Sequence, residues 1–213
     1  NYTYEVTKRI CEDQKEHTFY LIFDRDFDDS FVFAKNCIPI KLYPPTRHPF
    51  LTLFWTRYPL HAALKRYDID LFWSPDGICD LRAKIPQVTT IHDLNFEHCP
   101  EDSPKWVSWY YRRYYPRYAH KAKQIITVSE YSKNDIANCY GIDQKKISVV
   151  YNGVSNAYRP VSREEKEEYQ KSYTKGKPYF IFVGSIHPRK NIERLLQAFE
   201  LFRKKNQEYQ LLI

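Results

Sequence analysis

Short apolar runs alternate with longer amphipathic stretches along nearly the whole chain. Residues 18–23, 38–42, 69–74, 87–91, 124–128, 147–151 and 179–183 are rich in aromatic and β-branched residues and predict strands. Residues 4–16, 50–67, 104–122, 130–140, 162–173 and 188–206 carry apolar positions at helical spacing and predict helices. This alternation predicts an α/β fold with a mostly parallel sheet covered by helices on both faces. The most informative stretch is 178–199, PYFIFVGSIHPRKNIERLLQAF. It predicts a buried strand, a turn at Gly184, a short loop, and a helix with Pro188 in its first turn. Ile192, Leu195, Leu196 and Phe199 give that helix one apolar face.

A boundary is expected near 152–176. Asn152-Gly153 predicts a tight turn, Arg159-Pro160 ends an extended segment, and a charged stretch follows. The expected organisation is a first domain over 1–155, a linker with a charged helix over 156–177, and the start of a second domain over 178–213.

The apolar share of 43% supports a packed core, and 17% of the residues are aromatic. A net charge of +7 suits an acidic ligand, an anionic membrane surface or nucleic acid without choosing among them. The five cysteines are widely spaced and never form CxxC, which argues against a zinc ribbon or disulfide framework and for reduced thiols. No apolar run approaches the roughly 20 residues of a membrane span.

Several positions carry candidate chemistry. Arg189 and Lys190 are expected beside the free N–H groups of a helix start, where cations suit a bound phosphate; the alternative is a solvated surface pair. His92 and Asp93 follow a parallel strand, where ligands of open α/β sheets bind. The imidazole can donate to a sugar hydroxyl or phosphate; the alternative is a loop histidine capped by Asp93. Ser129 and Glu130 lie where a strand runs into a helix, and helix capping is the favoured reading of Ser129. Asn152 and Gly153 end a third strand. The basic, aromatic stretch 106–123 suits contact with an anionic membrane or, ranked below it, nucleic acid. Its simpler reading is a helix with Trp and Tyr on the core face and Arg112, Arg113 and Arg117 outside. The acidic run 24–29 is expected to be a solvated loop rather than a metal site. No GxGxxG, P-loop, HExxH or GxSxG is present.

IHDL (91–94), ITVSEYSKNDI (126–136), ISVVYNGV (147–154) and FVGSIHPRKNIERLLQAF (182–199), in this order, resemble retaining glycosyltransferase family 4. The likeness is to its bacterial mannosyltransferase-like members that build surface polysaccharides. It implies a GT-B fold: two Rossmann-like, doubly wound domains, the first on the acceptor side and preceded by a further strand, the second binding the nucleotide-sugar donor. On this resemblance Gly184, Ser185, Arg189 and Lys190 bind the donor diphosphate and His92 lies near the transferred sugar, with Asp93 beside it to orient the imidazole or accept from a hydroxyl. Ser129, Glu130, Asn152 and Gly153 then border an interdomain cleft. Ser185 stands where many relatives have arginine, leaving that charge to Arg189.

The implied reaction is retaining transfer of a hexose, with mannose from GDP-mannose favoured, to a glycan or lipid-linked acceptor. Two fixed cations stabilising the leaving phosphate require neither metal nor cofactor. The implied location is cytoplasmic, at the inner face of the membrane. The alternatives are a noncatalytic sugar- or nucleotide-binding module on the same fold and, below it, a basic nucleic-acid-binding protein. The absence of methionine suggests a fragment of a longer protein, which an intact mass above 25.8 kDa would confirm and a matching mass would refute.

Overall fold

The apolar side of residues 2–13 winds into helix α1 (Tyr2–Asp13), which buries Cys11. These and the other described residues, 2–155 and 157–213, come from a computed structural model. The Asn36 amide fixes the chain after α1, with Nδ2 3.1–3.2 Å from the carbonyl oxygens of Cys11, Gln14 and His17. β1 (Phe19–Phe23) then pairs in parallel with β2 (Cys37–Lys41), Phe19 opposite Cys37. The next helical stretch is α2 (Pro49–Trp55), a π-helical turn (Thr56–Leu60) and α3 (His61–Arg66). Pro59 lies inside the π turn, and a residue without an N–H cannot continue the α-helical ladder there.

β3 (Phe72–Ser74), β4 (Gln87–Thr90), β5 (Gln124–Thr127) and β6 (Ile147–Val149) form one parallel sheet in sequential order. Short α4 (Asn95–His98) and long α5 (Lys105–Lys121) follow β4, and α6 (Glu130–Tyr140) joins β5 to β6. The register sets Ser74 beside Thr89, Thr90 beside Ile126, and Thr127 beside Val149. Ile91, Ile125 and Ile147 from the sheet side are buried with Tyr110 and Tyr118 of α5 and Ile136 and Tyr140 of α6. A second cluster joins Trp55, Leu60, Leu64 and Ala83, and Trp55 Nε1 donates to the Leu42 carbonyl at 3.0 Å.

Several expectations need correction. The tyrosines of α5 enter the core, but Trp106 and Trp109 remain 42% and 48% exposed. They stack instead on α2 and the residue before it: Trp106 on His48 at 4.4 Å and Trp109 against Phe50 at 6.0 Å between ring centroids. The strands are shorter than their apolar runs: β3 begins only at Phe72, and β6 ends at Val149, although the Val150 N–H still bonds to the Thr127 carbonyl. The run 24–29 is not merely solvated. Asp24 accepts from the Thr46 backbone N–H and hydroxyl, both at 2.6 Å, Asp26 pairs with Lys41, and Asp28 caps Ser30.

The chain divides between Asn152 and Gly153 into two units. The second holds α7 (Arg163–Thr174), β7 (Tyr179–Ile181), α8 (Ile192–Arg203) and β8 (Gln210–Leu212), with β7 parallel to β8. Ser162 and Glu165 form a complete capping box on α7. The Phe180 ring centroid lies 5.4 Å from that of Phe202 and 5.7 Å from that of Tyr209, forming a partly exposed aromatic cluster. The 179–183 run is not a buried strand. One neighbouring strand and one helix cover it, which leaves Ile181 63% and Val183 86% exposed.

The Arg25 guanidinium, followed by hydrogen bonds from Thr46, holds the Asp24 carboxyl well below the usual carboxylate range. The stability this adds is complete above the unfolded value of about 3.9 and is lost as pH falls through the lower folded value. Urea midpoints measured from pH 6 to pH 2 should therefore drop more steeply for the native chain than for Asp24→Asn; equal slopes would exclude the linkage.

Candidate functional site

Parallel pairing places the segments that leave β3, β4, β5 and β6 along one edge of the sheet. After β3 comes Pro75-Asp76-Gly77. Gly77 has φ +78°, and a Cβ there would lie 2.6 Å from the Tyr115 ring. The Tyr115 hydroxyl donates to the Asp76 carbonyl at 2.8 Å, so α5 presses directly on this turn. Burial raises the Tyr115 hydroxyl well above its ordinary pKa, which keeps it a neutral donor. Neither Gly77 nor Tyr115 was singled out from the sequence, although Pro-Asp-Gly is a turn signal that marks the position.

After β4, His92 is half-buried and its Nε2 lies 3.2 Å from the Pro75 carbonyl. Tyr2 meets the imidazole edge-on at 4.8 Å. Asp93 does not cap His92. Its Oδ1 accepts the Asn95 N–H at 2.9 Å, which opens α4, and its side chain is exposed. The imidazole is therefore oriented by a carbonyl and a ring, while the carboxylate faces water.

After β5, Ser129 Oγ accepts the Ser132 N–H at 3.0 Å and caps α6. Glu130 begins the helix and is exposed. Thr127, at the end of β5, is fully buried with a hydroxyl that has no hydrogen-bond partner among the described residues. After β6, no turn forms at Asn152-Gly153; both residues are exposed in irregular backbone, and Gly153 does not adopt a positive φ. The Val150 N–H bonds back to the Thr127 carbonyl, which keeps the chain extended beyond the strand.

In the second unit, Gly184 is a bend without positive φ. Glycine serves there because a Cβ would lie 3.0 Å from the Phe182 ring. Ser185 is exposed. Pro188, Arg189 and Lys190 do not begin the long helix; they form a separate 3-10 turn. Asn191, at φ +52°, turns the chain before α8, a conformation that asparagine tolerates better than most side chains. His187 caps the turn, its Nδ1 accepting the Arg189 N–H at 3.3 Å. Arg189 and Lys190 are exposed, and among the described residues neither pairs with a carboxylate. Asn191 makes no side-chain cap on α8, so the N–H groups of that helix start remain available to an anion.

One further convergence escaped the sequence: His98, Asp135 and Cys139 meet between α4 and α6. His98 and Asp135 are 37 residues apart, so no local spacing announces the group.

A family profile described as "Glycosyltransferase Family 4" matches residues 1–158, and one described as "Glycosyl transferases group 1" matches 163–213. The O-antigen chain mannosyltransferase B of Escherichia coli is 28% identical over 217 residues, covering 94% of this chain and 55% of the relative. The O-antigen chain mannosyltransferase RfbU of Salmonella typhimurium is 30% identical over 149 residues, covering 68% of this chain and 38% of the relative. The chain thus spans about half or less of the length of these curated relatives. Among solved structures, a glycosyltransferase from Rickettsia africae aligns with TM-score 0.56 at 16% identity, over 98% of this chain and 62% of its own. HepE of Anabaena, solved with UDP and glucose, aligns with TM-score 0.64 at 13% identity, over 97% and 55%. These two likenesses establish the α/β fold of GT-B glycosyltransferases.

Replacing Ser129 with Ala should lower stability by about 1 kcal/mol, the usual worth of an N-cap. Denaturant unfolding tests this, and an unchanged midpoint would show that the cap adds nothing to folding.

Proposed function

The chain belongs to Glycosyltransferase Family 4, and we propose on that premise that the whole protein transfers a hexose from a nucleoside-diphosphate sugar to a glycan or lipid-linked acceptor. The observation that carries this is the turn Pro188–Lys190 with its two unpaired cations, set before an uncapped helix start. As the glycosidic bond breaks, negative charge grows on the leaving diphosphate. Arg189, Lys190 and the first N–H groups of α8 supply fixed positive charge without reorganisation, the logic of an oxyanion hole. His187 holds the turn in shape. Gly184 keeps the preceding bend free of a side chain. Divalent metal is dispensable for this step, because the two side chains provide the charge a metal otherwise brings.

His92, oriented by the Pro75 carbonyl, serves as a donor to a sugar hydroxyl, and Asp93 as an acceptor. Ser129 and Glu130 border the acceptor side at the same sheet edge. Mannose from GDP-mannose is the favoured donor, since two relatives are named as O-antigen mannosyltransferases. Transfer with retention, in the building of a surface polysaccharide, completes the proposal. Among the described residues no helix is long and apolar enough to cross a membrane. The exposed rings of Phe50, Trp106 and Trp109, beside a stretch with the exposed Arg113 and Arg117, suit peripheral contact with anionic lipid at the cytoplasmic face.

The test is thermal unfolding of the full-length protein with GDP, UDP, ADP and CDP, with and without Mg²⁺. A ligand that binds only the folded state raises the midpoint by mass action. The expected result is a shift with GDP that Mg²⁺ leaves unchanged, and that Lys190→Ala loses along with two or more orders of magnitude in turnover. No shift with any diphosphate, or near-normal turnover of Lys190→Ala, would overturn the proposal.

A further inference from the structure

Asp135 and Cys139 stand one turn apart on α6, which puts them on one face of the helix. His98, the last residue of α4, reaches across to that face. Its Nε2 lies 2.9 Å from both carboxylate oxygens of Asp135, and Cys139 Sγ lies 3.4 Å from Asp135 Oδ1. One nitrogen, one oxygen and one sulfur donor thus fall within 4.8 Å of one another. Zinc holds such donors at about 2.0–2.3 Å, so atoms sharing a tetrahedral ion sit roughly 3.2–3.6 Å apart. Small side-chain rotations convert the one arrangement into the other.

The surroundings suit an ion. Asp135 is largely shielded, at 14% side-chain exposure, whereas His98 is open at 49%. An adjoining cavity of about 500 Å³ is lined by Glu97, His98, Arg112, Pro116, Cys139 and Tyr140. It gives an ion a way in and leaves room for water at the fourth position. Glu97 is held aside: its carboxylate accepts from Tyr140 Oη and Arg112 Nε, both at 3.1 Å.

We propose that His98, Asp135 and Cys139 form a site for a thiophilic divalent cation of the zinc class. The ion clamps the segment carrying His92 and Asp93 to α6. Thiolate and imidazole select zinc-like ions over Mg²⁺ or Ca²⁺, which take oxygen ligands. On binding, the Cys139 S–H bond breaks, a sulfur–metal bond forms and the proton passes to water. The Nε2 of His98 gives up its hydrogen bond to Asp135 and ligates the ion, with the neutral ring keeping its proton on Nδ1. His98 lies only five residues beyond Asp93, and α4 takes up most of that interval, so a fixed His98 leaves the loop little slack.

The experiment titrates Co²⁺ into the full, chelator-stripped chain. One equivalent should bind with a thiolate-to-cobalt charge-transfer band. Cys139→Ser should abolish the band, Cys99→Ser should keep it, and His98→Ala should weaken binding at least about tenfold. Zn²⁺ should displace the cobalt and slow amide hydrogen exchange over residues 92–98. Circular dichroism of each stripped variant verifies its fold, so a lost band reports a lost ligand. Absence of the band from the native chain, or its survival in Cys139→Ser, overturns the site. Exchange over 92–98 that Zn²⁺ leaves unchanged overturns the clamp.

Discussion

Parallel pairing of β3 through β6 is the constraint on which the first unit depends. Because the four strands run the same way, every chain segment that leaves their carboxyl ends emerges at one edge. Each return to the opposite edge needs a crossover, which α5 and α6 supply after β4 and β5 while packing their tyrosines and Ile136 against the sheet. The core and the candidate site are therefore two faces of one arrangement. The same helix that buries Tyr110 and Tyr118 also sets Tyr115 against Gly77, and that turn supplies the Pro75 carbonyl facing His92.

Capping does at the helix ends what pairing does along the strands. Ser129 caps α6, and Ser162 with Glu165 caps α7. Two His-Pro sequences solve the same problem alike: His48 and His187 each turn Nδ1 to the N–H two residues on, with proline between. At 187–190 the outcome is a short turn whose two cations no carboxylate takes among the described residues. Asn191 separates that turn from α8, so the cations precede the helix instead of lying on it.

Side-chain supply decides how the surface is used. In the largely exposed acidic run after β1, Asp24 accepts from Thr46, Asp26 pairs with Lys41 and Asp28 caps the following turn. By contrast, His98, Asp135 and Cys139 gather three different donor atoms at the junction of α4 and α6. The two tryptophans of α5 lie outside the core because the tyrosines on its inner face already fill the space above the sheet.

Local pattern determined the elements themselves. The apolar run 124–128 could satisfy its backbone only as a strand, Ser129 could cap what followed, and the 3.6-residue period of 130–140 gave a helix with those bounds. The four motifs at strand ends were likewise legible, because each is a short contiguous string, and they pointed to the family that the profile match establishes. Tertiary structure decided what depends on neighbours distant in sequence. Strand 179–183 was expected to be buried, but burial requires covering layers that periodicity cannot count. Asn152-Gly153 has the composition of a turn, yet both residues lie in irregular backbone beyond the last bond to β5, from Val150 to Thr127. The partners of His92, Gly77 and His98 come from other loops and helices. Only the sheet and its crossovers bring those residues within reach of one another, because a contact between residues far apart in the chain is a property of the packing and not of any local run.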